Sequence, residues 1–396
     1  KLSSCTNSID ILRLLYDVCD QEIEVKQIDM YIPEGFEHKK NMSKEFVSIN
    51  LERRSFNAKL DESILKFLEK NNYVKVLKKV SSKEVWEIFE NHNCSIVLPC
   101  ILNKELLAVL FIGEKISGEG FNANDLDFFD TLSTLLPITL NRIKQFRVSA
   151  ELDMAQRIQH EILPKTPTIN GLDLDCFMLS AEEVGGDYYD ILNSEGNSWI
   201  VLGDVVGHGV GAGLTMFMVQ SILTTLLSTN KITSPAELNY RANKILFNNQ
   251  ERLSEQRPMT IVTLTTNDGK NFKVSGSHDN IFIYRADQNK VETMAIENFP
   301  LGIGLTDTLE RDVFGEDTFT LNKNDVLFLA TDGIVEAPKN GDDALGQFGE
   351  EALIKLIEKY ASKSVGELKT AIVNELDDFT NKIYLDDMTF IVAKAT

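Results

Sequence analysis

The chain has 396 residues, of which 43% are apolar, and carries a formal net charge of −20 at pH 7. That length and apolar share suffice for two ordinary cores, and the acidic balance excludes a role resting on nucleic acid or anionic membrane, whose phosphates the mean field repels. Cys5, Cys19, Cys94, Cys100 and Cys176 are odd in number, scattered and mostly set in apolar runs, which reads as reduced, buried small hydrophobes in a cytosolic protein.

Ile9–Val18 (IDILRLLYDV) repeats apolar residues at helical spacing and opens the chain as a helix. Ile28, Met30 and Ile32 alternate as in a strand, and a loop then leads to a second strand at Phe46–Ile49. Leu60–Leu68 is predicted as a short amphipathic helix and Tyr73–Leu77 as a strand. Cys94–Leu102 and Leu106–Ile112 are apolar strands joined by a polar turn at Asn103-Lys104-Glu105, a hairpin for the middle of a helix-covered sheet. Asn122 or Asn124 then caps a helix from Asp125, whose early acids Asp125 and Asp127 suit its positive end. Strand, turn, strand, the run GEKISGEGFNANDLDFFDTLS and a long helix together resemble the C-terminal half of a GAF domain. Residues before 90 match that pattern poorly, and no Cys or His arrangement argues for a bilin, a haem or an iron centre. The resemblance implies either a sensor with a small-molecule or protein regulator, or a ligandless dimerisation module.

From Asp125 onward Leu132, Leu135, Ile143, Phe146, Leu152, Ile158 and Ile162 keep apolar positions at a spacing that drifts between three and four, as in a paired helix. Pro137 predicts a kink or break, and Pro164 ends the run.

Leu172–Leu179 is predicted as the first strand of a second domain. It leads into Gly185-Gly186-Asp187-Tyr188-Tyr189-Asp190, and a hairpin turning at Asn193–Asn197 presents Asp187 and Asp204 at its two ends. Gly203-Asp204-Val205-Val206-Gly207-His208-Gly209 follows, then a long apolar helix from Ala212 to Leu227 that must be buried against a sheet. Ser234-Pro235-Ala236-Glu237 reads as a helix start with a capping box. Strands are predicted at Met259–Thr265, Asn271–Val274 and Ile281–Arg285, with a loop at Ser275–Asn280 between the last two, and another at Phe319–Leu321. The buried strand Asp325–Ala330 ends in Thr331-Asp332-Gly333, an exposed loop covers Asn340–Gln347, and Glu350–Lys359 and Val365–Phe379 are amphipathic helices. Asp386-Asp387-Met388-Thr389 precedes a last strand. Helices around antiparallel strands give an α/β sandwich of helix-sheet-sheet-helix order. Three strand edges each deliver an aspartate and a fourth sits at 187, with no His or Cys at ligand spacing; oxygen-only ligation suits Mg2+ or Mn2+ rather than zinc.

The motifs GGDYYD, GDVVGHG, TDGIVEA and DDMT, in that order, resemble the bacterial PP2C-type serine/threonine phosphatases of the RsbU/SpoIIE group over residues 150–396. Ala155–Pro164 resembles the helix that precedes such domains, with Ile158, Gln159 and Ile162 as regulatory positions. The expected organisation is a GAF-like α/β domain at 1–140, a long linker helix at 141–165 and a PP2C-like α-β-β-α sandwich of two antiparallel sheets at 166–396. The resemblance implies metal-dependent dephosphorylation of a phosphoserine or phosphothreonine protein, in relatives commonly a STAS-type anti-sigma-factor antagonist. Asp187, Asp204 and the Val205 carbonyl are implied ligands of a binuclear Mn2+ or Mg2+ centre, with Asp332 and Asp386 at second or shared positions and Asp387 and Asp190 as weaker metal candidates that bind through water, hydrogen-bond a ligand water or fix the loop. His208 and His278 compete for a general-acid role against a structural or rim role, and no motif arginine is placed to hold phosphate. The other reading is a non-enzymatic scaffold that senses through the first domain and binds a partner through the second. A homodimer joined through the first domain and the helix is expected. No signal peptide or run of membrane-span length is visible; Lys1 in place of an initiator Met points to a trimmed chain, so the cytoplasmic expectation applies to these residues only.

Overall fold

A computed structural model describes residues 8–33, 46–49, 75–76, 94–165, 168–229, 231–253, 255–300 and 302–396. Cys5, the predicted helix Leu60–Leu68 and most of the strand Tyr73–Leu77 lie outside those residues. The chain divides into two compact units, Lys1–Glu151 and Leu152–Thr396.

In the first unit, α1 (Ser8–Glu22) places Ile11, Leu15 and Cys19 four residues apart on one buried face. The strands β1 (Ile28–Pro33), β2 (Phe46–Ile49), β3 (Lys75–Val76), β4 (Ile96–Leu102) and β5 (Glu105–Ile112) form an antiparallel sheet of order β2-β1-β5-β4-β3. The β4–β5 turn is tighter than the predicted three residues. Asn103 and Lys104 alone make it, both at positive φ (51° and 67°), as a two-residue type I′ hairpin requires. Helix α2 (Ala123–Ile162) starts on a reciprocal cap: the Asp125 N–H donates to Asn122 Oδ1 at 3.0 Å and the Asn122 N–H to Asp125 Oδ2 at 2.8 Å. Lys115 closes this carboxylate with an ion pair at 2.6 Å. Phe129, Leu132, Leu136, Leu140 and Ile143 of α2 join the α1 residues on the sheet. The helix continues through Pro137, which costs it one backbone bond.

In the second unit the antiparallel strands are β6 (Leu172–Leu179), β7 (Tyr188–Ser194), β8 (Asn197–Val205), β9 (Met259–Thr266), β10 (Asn271–Arg285), β11 (Lys290–Glu297), β12 (Asp317–Thr320), β13 (Val326–Ala330) and β14 (Met388–Ala395). Helices α3 (Val210–Thr229) and α4 (Pro235–Gln250) follow β8; α5 (Asp332–Val335) is one turn after β13; α6 (Glu350–Tyr360) and α7 (Val365–Thr380) precede β14. The hydrogen-bonded order is β6-β14-β13-β10-β9-β8-β7, with β11 and β12 on β10.

The predicted loop at Ser275–Asn280 is instead part of β10, a single 15-residue strand. Its first half pairs with β9 and its second with β13, and the register slips between His278 and Ile281. A bulge bends a strand and increases its twist, which lets β10 pass from one sheet of the sandwich to the other. Strand β11, absent from the sequence reading, has only Ile296 buried and so shows little apolar alternation.

The layers follow from alternation along β13. Leu327 and Leu329 face the core shared with α3, α4, β8 and β9, while Val326, Phe328 and Ala330 face α6 and α7. The result is the expected helix-sheet-sheet-helix sandwich. Two details differ. Helix α3 is long and apolar enough to span a membrane, contrary to the expectation of no such run, but Ala212, Met216, Val219, Leu223 and Leu227 of it are buried in the core. At α4, Ser234 caps the Glu237 N–H at 3.1 Å, yet the Glu237 carboxylate pairs with Arg241 and Arg311 instead of closing a capping box. The described cysteines are unpaired, and burial pushes the Cys19, Cys94 and Cys176 thiols up to about 12, which keeps them protonated.

Candidate active site

The β7–β8 hairpin turns at Glu195 and Gly196, both at positive φ, and its register pairs Tyr188 with Gly203. One step further, the chain ends at Asp187 and Asp204 lie opposite each other. Asp187 is 1% exposed. Its Oδ2 accepts the Thr331 hydroxyl at 2.9 Å, while its Oδ1 is buried without a hydrogen-bond partner. Burial, and then the charge of Asp204, raise its pKa well above the ordinary carboxylate range.

Asp204 is pushed up to about 8, first by burial and then by Asp332, Asp386 and Asp387. Asp332, at the start of α5, is pushed up to about 6 by burial and then by Asp386, Asp279 and Glu336. Asp386 is exposed, and its Oδ1 accepts the Asp387 N–H at 2.8 Å. The Thr331 N–H donates to the Thr389 carbonyl and the Thr389 N–H to Thr331 Oγ1, both at 3.0 Å, which ties the TDG and DDMT segments together. A Cβ at residue 333 would overlap the Asp387 carbonyl, so only glycine admits this approach.

Asp387 has a different task from its neighbour. Its Oδ1 accepts the Ala181 N–H at 2.8 Å, and its Oδ2 accepts the N–H of Gly186 at 2.6 Å and of Asp187 at 3.4 Å. It fixes the backbone that presents Asp187. Asp190 is not brought to the site: two-residue alternation turns it to the opposite side of β7 from Tyr189, where it accepts the Tyr188 hydroxyl at 2.9 Å and the Ile191 N–H at 2.8 Å. His208 is 74% exposed in its side chain and pairs with Glu182 at 2.7 Å, on the rim. His278 follows the β9–β10 register to lie beside Thr260, itself opposite Asp204. Its Nδ1 is 3.3 Å from Thr260 Oγ1, and burial pulls its pKa down to about 4, so it is neutral near pH 7.

From the preceding helix, Gln159 reaches the site's backbone. It is 1% exposed, donates Nε2 to the Gly185 carbonyl at 3.0 Å and accepts the Gly185 N–H on Oε1 at 3.1 Å. Ile158 and Ile162, the other two positions singled out on this helix, are exposed. The sequence alone assigns no site role to Thr331, Glu182 or Thr260. Only Thr331 carried a signal, its place directly before Asp332.

A divalent cation fits these residues by chemistry: hard oxygen donors, one orphaned buried oxygen, and acids that raise one another's pKa with no counter-charge. None of the described ion pairs involves Asp187, Asp204, Asp332 or Asp386. Among the described residues no three carboxylate, imidazole or thiolate groups gather around a single point at ligand distance.

Other proteins are similar to this chain. A family model for the stage II sporulation protein E (SpoIIE) matches residues 194–396, which include Asp204, Asp332 and Asp386 but begin after Asp187. Phosphoserine phosphatase RsbU of Bacillus subtilis (strain 168) is 24% identical over 301 residues, 72% of this chain and 85% of that protein. Protein IcfG of Synechocystis sp. is 22% identical over 270 residues, 61% of this chain and 41% of that protein. The SiaA-PP2C domain of Pseudomonas aeruginosa superposes with a TM-score of 0.53 at 18% identity, covering 64% of this chain and 98% of that one, and so shares the fold. With the family model spanning just over half of the 396 residues, this chain belongs to the SpoIIE family.

Proposed function

We propose that the protein is a divalent-metal-dependent phosphatase acting on a phosphoserine or phosphothreonine protein. The observation that carries this reading is Asp187 Oδ1, a buried carboxylate oxygen left without a partner beside other acids. Asp187, Asp204 and the Val205 carbonyl would hold Mn2+ or Mg2+ on one side, with Asp332 and Asp386 at the second or shared position. The chemistry that two such cations supply is neutralisation of phosphoryl oxygens and a water reactive near neutral pH. The rest falls to the chain. Thr331 takes up Oδ2 of Asp187 and leaves Oδ1 to the site; Asp387 and Gln159 fix the backbone on either side of Gly186. A neutral, half-buried His278 is a poor proton donor, and His208 at the rim is the imidazole more open to solvent.

Family membership and the RsbU relative support a phosphoprotein substrate, and a STAS-type anti-sigma-factor antagonist is the class we assign. The five-stranded antiparallel sheet backed by α1 and α2 supports a GAF-like regulatory domain. Leu135, Ile138, Phe146, Met154, Ile158 and Ile162 are exposed along α2, which supports a homodimer formed through this helix. The two bonds from Gln159 to Gly185 then link the helix to the segment carrying Asp187.

The test is hydrolysis of p-nitrophenyl phosphate and of a phosphoserine protein with Mn2+ or Mg2+. EDTA is expected to abolish both. Full activity in EDTA, or with zinc alone, would sink the reading.

A further inference from the structure

The turn that follows β8 is held from outside by a side chain that none of the motifs contains. Arg257 precedes β9, and its main chain is locked by Gln250, fully buried at the end of α4. The carboxamide donates Nε2 to the Arg257 carbonyl at 2.8 Å and accepts the Arg257 N–H on Oε1 at 3.2 Å. From that fixed base the guanidinium lies along the glycine-rich turn. A Cβ on Gly207 would collide with Nη1, and one on Gly211 would stand 2.9 Å from Nε and 3.3 Å from Cζ. The turn accommodates the guanidinium because both positions lack a side chain. Nη1 donates to the Val206 carbonyl at 3.2 Å, and Nη2 pairs at 3.0 Å with Glu255, whose side chain is exposed.

These contacts fix two successive peptides. The Val206 N–H donates to the Pro258 carbonyl at 2.9 Å. A trans peptide is planar with its N–H and C=O opposed, so this bond turns the Val205 carbonyl away from β9. That oxygen faces Gly186, 3.0 Å from where a Cβ there would lie. Arg257 holds the next peptide by its carbonyl. With both flanking peptides held, the φ and ψ of Val206 are set, and with them the direction of the Val205 oxygen. The turn has need of such a brace: Gly207 and Gly209 sit at φ 86° and 78°, and Val206 is exposed.

We propose that Arg257 is a positioning residue for the phosphatase reaction, orienting the Val205 carbonyl and Asp204 for the divalent cation without touching substrate. This rests on the proposed reading of that pair as ligands. Lysine cannot substitute, because a point ammonium lacks the planar fork that spans Gly207, Gly211 and the Val206 carbonyl at once. Losing a group that orients metal ligands costs about 10–100-fold in affinity or activity.

The test uses the full chain. Free Mn2+ is followed by electron paramagnetic resonance in a titration without turnover, and kcat and KM are measured on p-nitrophenyl phosphate at saturating Mn2+. Arg257→Ala and Arg257→Lys are both expected to weaken Mn2+ binding by about tenfold or more and to lower kcat, with KM unchanged. Glu255→Gln, which removes only the exposed pair, is expected to match the wild type. Arg257→Lys keeps the charge and most of the stem, so it carries the test should the alanine variant not fold. Wild-type Mn2+ affinity and kcat in both variants overturn the proposal. So does a raised KM with unchanged Mn2+ affinity, which makes Arg257 a substrate contact. A wild type that neither binds Mn2+ nor hydrolyses the ester overturns the reading of the metal site itself, a separate result.

Discussion

At the start of β13, Asp325 is 1% exposed and accepts Arg285 Nη1 at 3.1 Å, the Ala286 N–H at 2.9 Å and the Asn322 N–H at 3.0 Å. At the other end of the same strand, Thr331 meets Asp187, which is buried just as deeply but is flanked by the Thr331 and Thr389 hydroxyls and by the acids Asp204 and Asp387. Desolvating a carboxylate is costly wherever it happens. Near Asp325 the chain supplies the positive charge itself; near Asp187 none of the described residues does. A buried acid with its own arginine is structural, and acids gathered around Asp187 without one are what the proposed cation site requires.

The largest expected effect tests the open end. Asp204→Asn and Asp332→Asn are each expected to lower kcat/KM by on the order of a thousandfold, with the fold retained by circular dichroism. Asp325→Asn, in whatever fraction folds, should keep wild-type kinetics. If the Asp325 variant proved as inactive as the other two, the contrast between the two ends would collapse.

Next comes the closed end. Arg285→Ala leaves Asp325 buried without its cation, a loss of about 3 kcal/mol. Urea melts should show this, while kcat per folded molecule stays unchanged. An equally stable variant would mean that the two N–H donors alone suffice for Asp325.

The pH dependence separates the ends more finely. Unfolded, Asp204 and Asp332 ionise near about 3.9; folded and metal-free, they hold protons to about 8 and about 6. The folded state therefore binds more protons between pH ~4 and ~8, and its stability falls as pH rises through that window. Metal-free Asp204→Asn is expected to melt about 2–4 °C above the wild type at pH 8, and no higher at pH 4. Mn2+ should raise the wild-type melting point more at pH 8 than at pH 6, since binding no longer has to displace those protons. A flat metal-free profile would show that water already solvates these acids.

The smallest effect belongs to the rim. His208 pairs with Glu182 where both are well exposed, and exposed pairs contribute about 0–1 kcal/mol. His208→Ala is expected to change kcat/KM by less than about threefold; a larger loss with intact Mn2+ affinity would promote His208 to proton donor.

Where acid and turn chemistry are local, the sequence was readable. Asp204 and Asp332 each follow an apolar run beside a glycine, Asp187 follows Gly185-Gly186, and Asp386 stands just before the last apolar run, so strand ends and carboxylates could be placed together, and Ser234-Pro235 fixed the start of α4. Long-range partners were not. Nothing in Glu255-Gln256-Arg257 reveals that its guanidinium lies on Gly207 and Gly211, because the pairing depends on how β8 and β9 register. Asp386 and Asp387 look alike in the chain, and only the packing of Gly186 against Asp387 gives them different work. The Ser275–Asn280 stretch carries polar and glycine residues that signal a loop, but pairing with β9 on one side and β11 on the other holds it as a bulged strand.

The pairing of β6 with β14, from Leu172↔Ala395 to Met388↔Leu179, joins the first strand of the second unit to its last. During synthesis the ribosome delivers Asp187, Asp204 and Asp332 before Asp386, and β6 gains its partner only when Met388–Ala395 has emerged. A nascent chain, or one cut short by a premature stop, thus lacks both its closing strand and its fourth acid. A chain that stops before β14 is therefore expected to lack the proposed phosphatase activity.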